Sequence, residues 1–416
     1  MAPAADLLRL STAGSVDDGK STLIGRLLYE TREVFDDQLA AVERASHARG
    51  ADYVDLALLT DGLRAEREQG ITIDVAYRHF ATAHRRFILA DTPGHVQYTR
   101  NMVTGTSTAD VTVVLLDARK GATEQTRRHL YVAAMLRVPE VIVCVNKLDL
   151  VGFDEASVLA IETELTPFAA RLGLPRPHFI PISALLGDNV VRRSSATPWY
   201  DGPTLLEGLE QVPAAADRRR RPARLPVQWV VRPHRHEHHD YRGYAGQLAS
   251  GELRVGDPVL VQPAGLTTRV AGIGAFDGPL QEASAPAGVV VQLSDQLDVA
   301  RGDLIGSADA PASVGQELDV LACWFSTTAL RVGGRYLVKH TTRTTRAVVQ
   351  RLDHAVDVNT GDALPAATLN LNDIGVLRLK TLAPLAYDPY AVDRTMGSLI
   401  LIDESSNETL AAGVIS

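Results

Sequence analysis

Gly14-Ser15-Val16-Asp17-Asp18-Gly19-Lys20-Ser21 decides the fold. An apolar run, 7–12, precedes it and an amphipathic one, 21–29, follows, so the local order is strand, glycine-rich loop, helix. In that setting the glycines let the backbone curl until successive N–H groups converge on one anion, and the helix N-terminus adds its positive end. Lys20 brings a full charge to the outer phosphates of a nucleotide, and the Ser21 hydroxyl is a hard oxygen suited to Mg²⁺.

Outward from this loop, short apolar runs alternate with amphipathic ones as far as about residue 209, the pattern of parallel strands joined by helices. Strands are expected over 7–12, 73–79, 86–90, 111–117, 141–146 and 179–182. Helices are expected over 21–29, 97–106, 123–136 and 155–172. A Pro- and Arg-rich stretch with four successive arginines, 218–221, interrupts the pattern and reads as a solvated or partner-facing connector. Beyond it no helical period persists. Alternating stretches at 227–232, 245–249, 258–262, 289–293, 318–323, 336–340, 346–352, 374–382 and 398–403, separated by Gly, Pro and Asp, suggest two β-barrels that divide near 306–313. The expected architecture is an α/β P-loop G domain (1–212), a linker (213–225) and two β-barrel domains (226–308 and 309–416).

Two further motifs lie at predicted strand ends. Asp91-Thr92-Pro93-Gly94 follows Phe87-Ile88-Leu89-Ala90, which puts the Asp91 carboxylate beside the phosphate loop, where it can hold a metal-bound water. Gly94 frees an N–H for a terminal phosphate. Asn146-Lys147-Leu148-Asp149 closes the strand over 141–146, and the Asp149 carboxylate can accept from both the ring N–H and the exocyclic amine of guanine. Adenine has neither donor there, and a buried carboxylate left unpaired costs about 1–3 kcal/mol, enough for roughly 100-fold discrimination. Ser183-Ala184-Leu185 follows the next strand, and the Ala184 N–H suits the guanine carbonyl oxygen. Asn146 ties the loops together and the Lys147 stem lies along the base.

Between the first two motifs, Thr72 is the expected second hydroxyl on Mg²⁺, ordered with GTP and released with GDP. Its segment carries extra helical material, whose amphipathic part, Asp36–Ala48, is expected to pack against the domain. His95, directly after Gly94, is the candidate to orient an attacking water, since phosphoryl transfer needs mainly positioning and charge stabilisation.

Composition sets limits. The chain has 416 residues and a net charge of −8, which disfavours a sequence-blind nucleic-acid binder. Cys144 and Cys323 both sit in apolar runs and read as inert core thiols. No basic leader precedes an apolar stretch and no run approaches a membrane span, so a soluble, cytoplasmic protein is expected. The histidines at 234, 236, 238 and 239 lack the spacing of a closed zinc site and read as a solvated loop. Arg301-Gly302-Asp303 reads as a turn. Asp17 stays open between a ligand for a monovalent cation and a loop-stabilising hydrogen bond.

Together these motifs resemble the elongation factor Tu and elongation factor 1α class of GTPases. Within it the chain is similar to the family of GTPase large subunits of bacterial ATP sulfurylase, sulfate adenylyltransferase subunit 1. Factors of the Tu type carry histidines in the phosphate loop where this chain has Ser15 and Asp18, and the form continued through Thr22 and Leu23 is that of the sulfurylase. The likeness extends to Asp91–His95, Gln97–Met102, Asp117–Gly121, Trp199–Tyr200, Gly202–Leu206, Arg242–Gly246 and Asn372–Gly375, with Val96 where the family more often has an acidic residue. The resemblance implies GTP hydrolysis coupled to the uphill formation of adenosine 5′-phosphosulfate from ATP and sulfate by a separate, ATP-pyrophosphatase-like small subunit. From charge and the lack of a membrane-length apolar run, no nucleic-acid or membrane partner is expected. Aminoacyl-tRNA delivery by a translation factor is the alternative, and a switch that uses GTP only to assemble a complex is a third reading. Some relatives carry an adenylylsulfate kinase domain; no second phosphate loop occurs in this sequence, so that activity is expected either elsewhere or on a part of the protein outside this sequence.

Overall fold

The computed structural model describes residues 6–33, 36–48, 54–59, 74–213, 218–232 and 241–416. Two compact units result, one of residues 1–215 with 357–362, the other of 216–356 with 363–416. Thr72, the start of the expected strand over 73–79 and the histidine-rich loop lie outside the described residues.

The first unit is built on a six-stranded sheet of β1 (Asp6–Gly14), β2 (Ala76–Ala81), β3 (Arg85–Asp91), β4 (Val111–Asp117), β5 (Glu140–Asn146) and β6 (His178–Pro181), in the order β2-β3-β1-β4-β5-β6. β2 is antiparallel to β3 and every other pairing is parallel. All seven residues of β4 are buried, as expected of a central strand covered on both faces. Between strands run α1 (Lys20–Glu30), α2 (Asp36–Ala48), α3 (Thr99–Thr106), α4 (Glu124–Met135), α5 (Glu155–Arg171) and α6 (Leu205–Gln211). The apolar face of α1, Leu23, Ile24, Leu27 and Leu28, packs with Leu8, Leu10, Phe87 and Leu115 of the sheet. Val42 and Ser46 of α2 are buried, so this helix packs as expected.

Most expected elements recur within a few residues. The expected helix over 97–106 opens as a 3₁₀ turn, Val96–Tyr98, before α3. The short α6 was not anticipated; its sequence signal is local, a capping box in which the Thr204 hydroxyl and the Glu207 side chain satisfy each other's backbone N–H. Replacing Thr204 by Ala is expected to cost about 1 kcal/mol, read as a fall of about 2–4 °C in thermal midpoint.

The second unit carries two antiparallel barrels. Strand Pro258–Gln262 lies between Leu266–Ala275 and Leu304–Ser307 in the first, whose core gathers Leu225, Val227, Tyr244, Val261, Val291 and Ile305. The second closes because Arg335–His340 pairs with both Arg343–Val356 and Ser398–Ile402, and its core holds Trp324 and Leu377. Two features differ from the sequence reading. The expected strand over 227–232 is shorter, Trp229–Val231, and a separate strand, Arg224–Pro226, begins inside the expected linker over 213–225. Arg224, read as connector, is only 4% exposed, because its guanidinium makes a two-pronged pair with Asp388 at 2.8 and 3.1 Å. Arg301–Asp303 is the expected turn, with Asp303 N–H donating to the Ala300 carbonyl at 3.1 Å.

Candidate functional site

Sheet register gathers the site. Thr12 is opposite Asp91 and Asp117 is opposite Asn146, so the phosphate loop and the ends of β3, β4 and β5 meet at the carboxyl edge of the sheet. That edge is where open parallel sheets bind ligands. A cavity of about 290 Å³ opens there, lined by Ser15, Asp17, Gly19, Lys20, Ser21, Thr22, Gly94, His95 and Lys147 among others.

The loop is braced from within. Ser15 N–H donates to Asp18 Oδ2 at 2.7 Å, and Asp18 N–H returns to the Ser15 carbonyl at 3.2 Å. Gly19 adopts a left-handed conformation at the N-cap of α1. Asp17 is exposed, with φ 69°, and its carbonyl accepts from Lys147 Nζ. Lys20 Nζ lies 2.5 Å from Asp91 Oδ1, both side chains being almost fully buried. The carboxylate expected to hold a metal-bound water is thus, in this arrangement, bonded to the loop lysine. Thr92 donates to the Thr12 carbonyl at 2.6 Å. Gly94 is pressed against the loop so closely that a Cβ would come within 2.0 Å of the Gly14 carbonyl oxygen, so any side chain there would force the two segments apart.

Burial lifts the Asp18 carboxyl from the ordinary 3.8 to about 6, against the opposing pull of its hydrogen bonds to Ser15 and the charge of Lys120. Between about pH 4 and 6 the folded, nucleotide-free protein therefore binds more protons at this group than the unfolded chain does. Its contribution to stability is whole below that window and is lost as pH rises through it. Asp18→Asn keeps an acceptor for Ser15 N–H and is expected to remove this decline, which unfolding by urea at a series of pH values would show.

The base side is equally connected. Asn146 Nδ2 donates to the Asp18 carbonyl at 2.7 Å and Asn146 Oδ1 accepts from Ala184 N–H at 2.9 Å, so one side chain links the two loops. Ser183 Oγ donates to Asp149 Oδ1 at 2.7 Å. The Ala184 N–H, expected on a base carbonyl oxygen, is therefore engaged by Asn146. Leu185 is exposed beside it. His95 is half-buried, its Nδ1 accepting from Gln97 N–H at 3.2 Å.

Three features escaped the sequence reading. Asp117, with a fully buried side chain, accepts from Arg119 through both oxygens and lies 3.2 Å from Lys147 Nζ. Burial pushes its carboxyl up, but the hydrogen bonds from Arg119 and Lys147 outweigh this and hold it well below the usual carboxylate range. The signal was an acidic residue at the end of an otherwise apolar strand. Gln125 of α4 donates to the Gly94 carbonyl at 3.3 Å and contacts the fully buried His129 at 3.0 Å, with burial pushing that imidazole down to about 3. Arg26 of α1 holds the 184–185 turn. Nothing in sequence spacing announces either. Among the described residues no cluster of three or more His, Cys, Asp or Glu is placed to hold a metal, and no helix is long and apolar enough to cross a membrane. Cys144 is buried, which pushes its thiol far up.

Comparison with known proteins adds to the geometry. Residues 5–215 match the elongation factor Tu GTP binding domain model, and 317–416 match the GTP-eEF1A C-terminal domain-like model. The bifunctional enzyme CysN/CysC of Mycobacterium tuberculosis (strain CDC 1551 / Oshkosh) is 54% identical over 98% of this chain and 67% of its own length. Sulfate adenylyltransferase subunit 1 of Aeromonas hydrophila is 48% identical, over 98% of this chain and 86% of that one. The protein of the same name from Methylorubrum populi is 49% identical, over 99% and 87%.

Proposed function

Because the chain belongs to the sulfate adenylyltransferase subunit 1 family, with an elongation factor Tu-type GTP binding domain, we propose that it binds and hydrolyses GTP to drive sulfate adenylylation by a partner subunit. The single observation that supports this reading best is Asn146 bridging the phosphate loop and the 183–185 loop. A pocket so joined senses phosphates and base together. Domains over 1–212, 224–308 and 309–416, with a linker at 213–223, are the organisation we assign, the first barrel beginning at strand Arg224–Pro226 rather than at 226.

In this reading the Gly14–Thr22 amides and Lys20 hold the phosphates, and Asp149 selects guanine. The hydroxyl oxygens of Ser21 and Thr72 are hard donors that would suit Mg²⁺. Bound there, Mg²⁺ would supply neutralisation of the phosphate charge. Gly94 N–H contacts the terminal phosphate. His95, with Nδ1 already accepting from Gln97, presents Nε2 to a water. Loss of that phosphate releases Gly94 and the segment of Thr72, and the changed surface is what a partner can read.

The partner is an ATP-pyrophosphatase-like small subunit, and the complex works in the cytoplasm. Adenosine 5′-phosphosulfate is a mixed anhydride whose formation from ATP is uphill, so a coupled hydrolysis is the chemistry that favours it. The names of the relatives set aside aminoacyl-tRNA delivery. Affinity purification from cells expressing both chains tests the partner: co-elution of the small subunit supports the reading, and bound RNA in its place contradicts it.

A further inference from the structure

Helix α1 starts at the phosphate loop and carries Arg26 in its second turn. Arg26 Nε donates to the Ala184 carbonyl at 3.2 Å, Nη2 donates to the Leu185 carbonyl, and Nη1 lies 3.6 Å from Glu30 Oε1, one helical turn on. The guanidinium is thereby engaged through all three nitrogens, in the planar fork geometry that suits arginine and not lysine. The two side chains are only 17% and 16% exposed, so the contacts are not a loose surface pair.

The turn is shaped to receive this fork. Gly187 N–H donates to the Ser183 carbonyl at 2.7 Å and Leu186 N–H to Ser183 Oγ at 3.2 Å, which folds 183–187 tightly. Gly187 has φ +93°, and a Cβ there would come within 2.8 Å of Glu30 Oε1, so glycine lets the turn close on α1. Ser183 Oγ also donates to Asp149 at 2.7 Å, so the same turn abuts the carboxylate assigned to the base.

A trans peptide is planar, so fixing one carbonyl fixes the N–H on its other side. Arg26 holds the Ala184 carbonyl and so sets the direction of the Leu185 N–H. The Ala184 N–H is already given to Asn146. We propose that Arg26 is a positioning residue for purine recognition, aiming the Leu185 N–H at the carbonyl oxygen at position 6 of guanine, with Glu30 bracing it from behind. The inference rests on the guanine-nucleotide reading above. It makes α1 a rigid link whose first turn meets phosphate and whose second turn fixes the base-reading loop.

Competition binding with a fluorescent GDP tests it on the full-length chain. Arg26→Met is expected to release GDP about tenfold faster, equivalent to about 1.4 kcal/mol. Its preference for GDP over 2,6-diaminopurine riboside diphosphate, which has an amine at position 6, should narrow by a similar factor. Its preference for GDP over IDP, which reports the 2-amine at Asp149, should be unchanged. Arg26→Lys should restore only part of the loss, and Glu30→Gln should be intermediate; these two carry the test if Arg26→Met fails to fold. A wild-type release rate with unchanged preferences in the variants would overturn the proposal. So would an equal loss for all three nucleotides, which is what general loosening predicts. Wild-type protein that binds ADP as well as GDP would instead overturn the guanine reading on which the inference rests.

Discussion

Asp149→Asn is expected to lower the affinity for GDP by about 100-fold, because on the proposed role of Asp149 it removes an acceptor for the guanine donors, at about 1–3 kcal/mol for each donor left unpaired. The amide that replaces the carboxylate still accepts through one oxygen, so the Ser183 hydroxyl keeps its partner and the turn keeps its form. What changes is the chemistry offered to the base: an N–H now stands where an oxygen stood. Xanthine carries an oxygen in place of the 2-amine, so the variant is expected to gain affinity for xanthosine diphosphate while losing GDP. Calorimetric titration with both nucleotides measures the exchange. GDP affinity within threefold of wild type would contradict the assignment of Asp149.

Lys20→Met acts on both function and stability. On the proposed role of Lys20, nucleotide binding should be lost with the charge assigned to the outer phosphates. In the nucleotide-free protein Asp91, 3% exposed, also loses the ammonium 2.5 Å from its carboxylate. Removing one member of a buried pair typically costs about 3–5 kcal/mol, because the survivor is left charged and dry. For a unit of this size that corresponds to a fall of about 10 °C in thermal midpoint. Adding Asp91→Asn removes the stranded charge, so the double variant should recover much of the midpoint without regaining nucleotide binding. A midpoint for Lys20→Met within 2 °C of wild type would show that the pair does not operate in solution.

The first half of the fold was legible because two signals coincide there. Buried parallel strands such as 111–117 are continuous apolar runs, and each ends on residues whose chemistry is recognisable: Gly14, Asp91, Asn146. The second half was legible in outline only. Short antiparallel strands give weak periodicity, so 224–225 reads as linker: the role of Arg224 is set by Asp388, 164 residues away, which no local pattern contains. The same physics explains what was missed in the site. Arg26 contacts carbonyls 158 and 159 residues distant, and Gln125 contacts a carbonyl 31 residues back; backbone acceptors leave no mark in a sequence. The Ala184 N–H is expected on the base because it lies in the Ser183–Leu185 motif. The structure spends that N–H on Asn146, since a buried amide oxygen must also find a donor.

The coupling claim is tested most directly by measuring GTP hydrolysis and adenosine 5′-phosphosulfate together, in the complex with the small subunit, with ATP and sulfate present or withheld. GTP turnover should accelerate only when both are supplied, and product should accumulate beyond the level reached without GTP. Turnover indifferent to ATP and sulfate, or a product level unchanged by GTP, would contradict the account and leave the chain a guanine-nucleotide switch that assembles a complex without driving it.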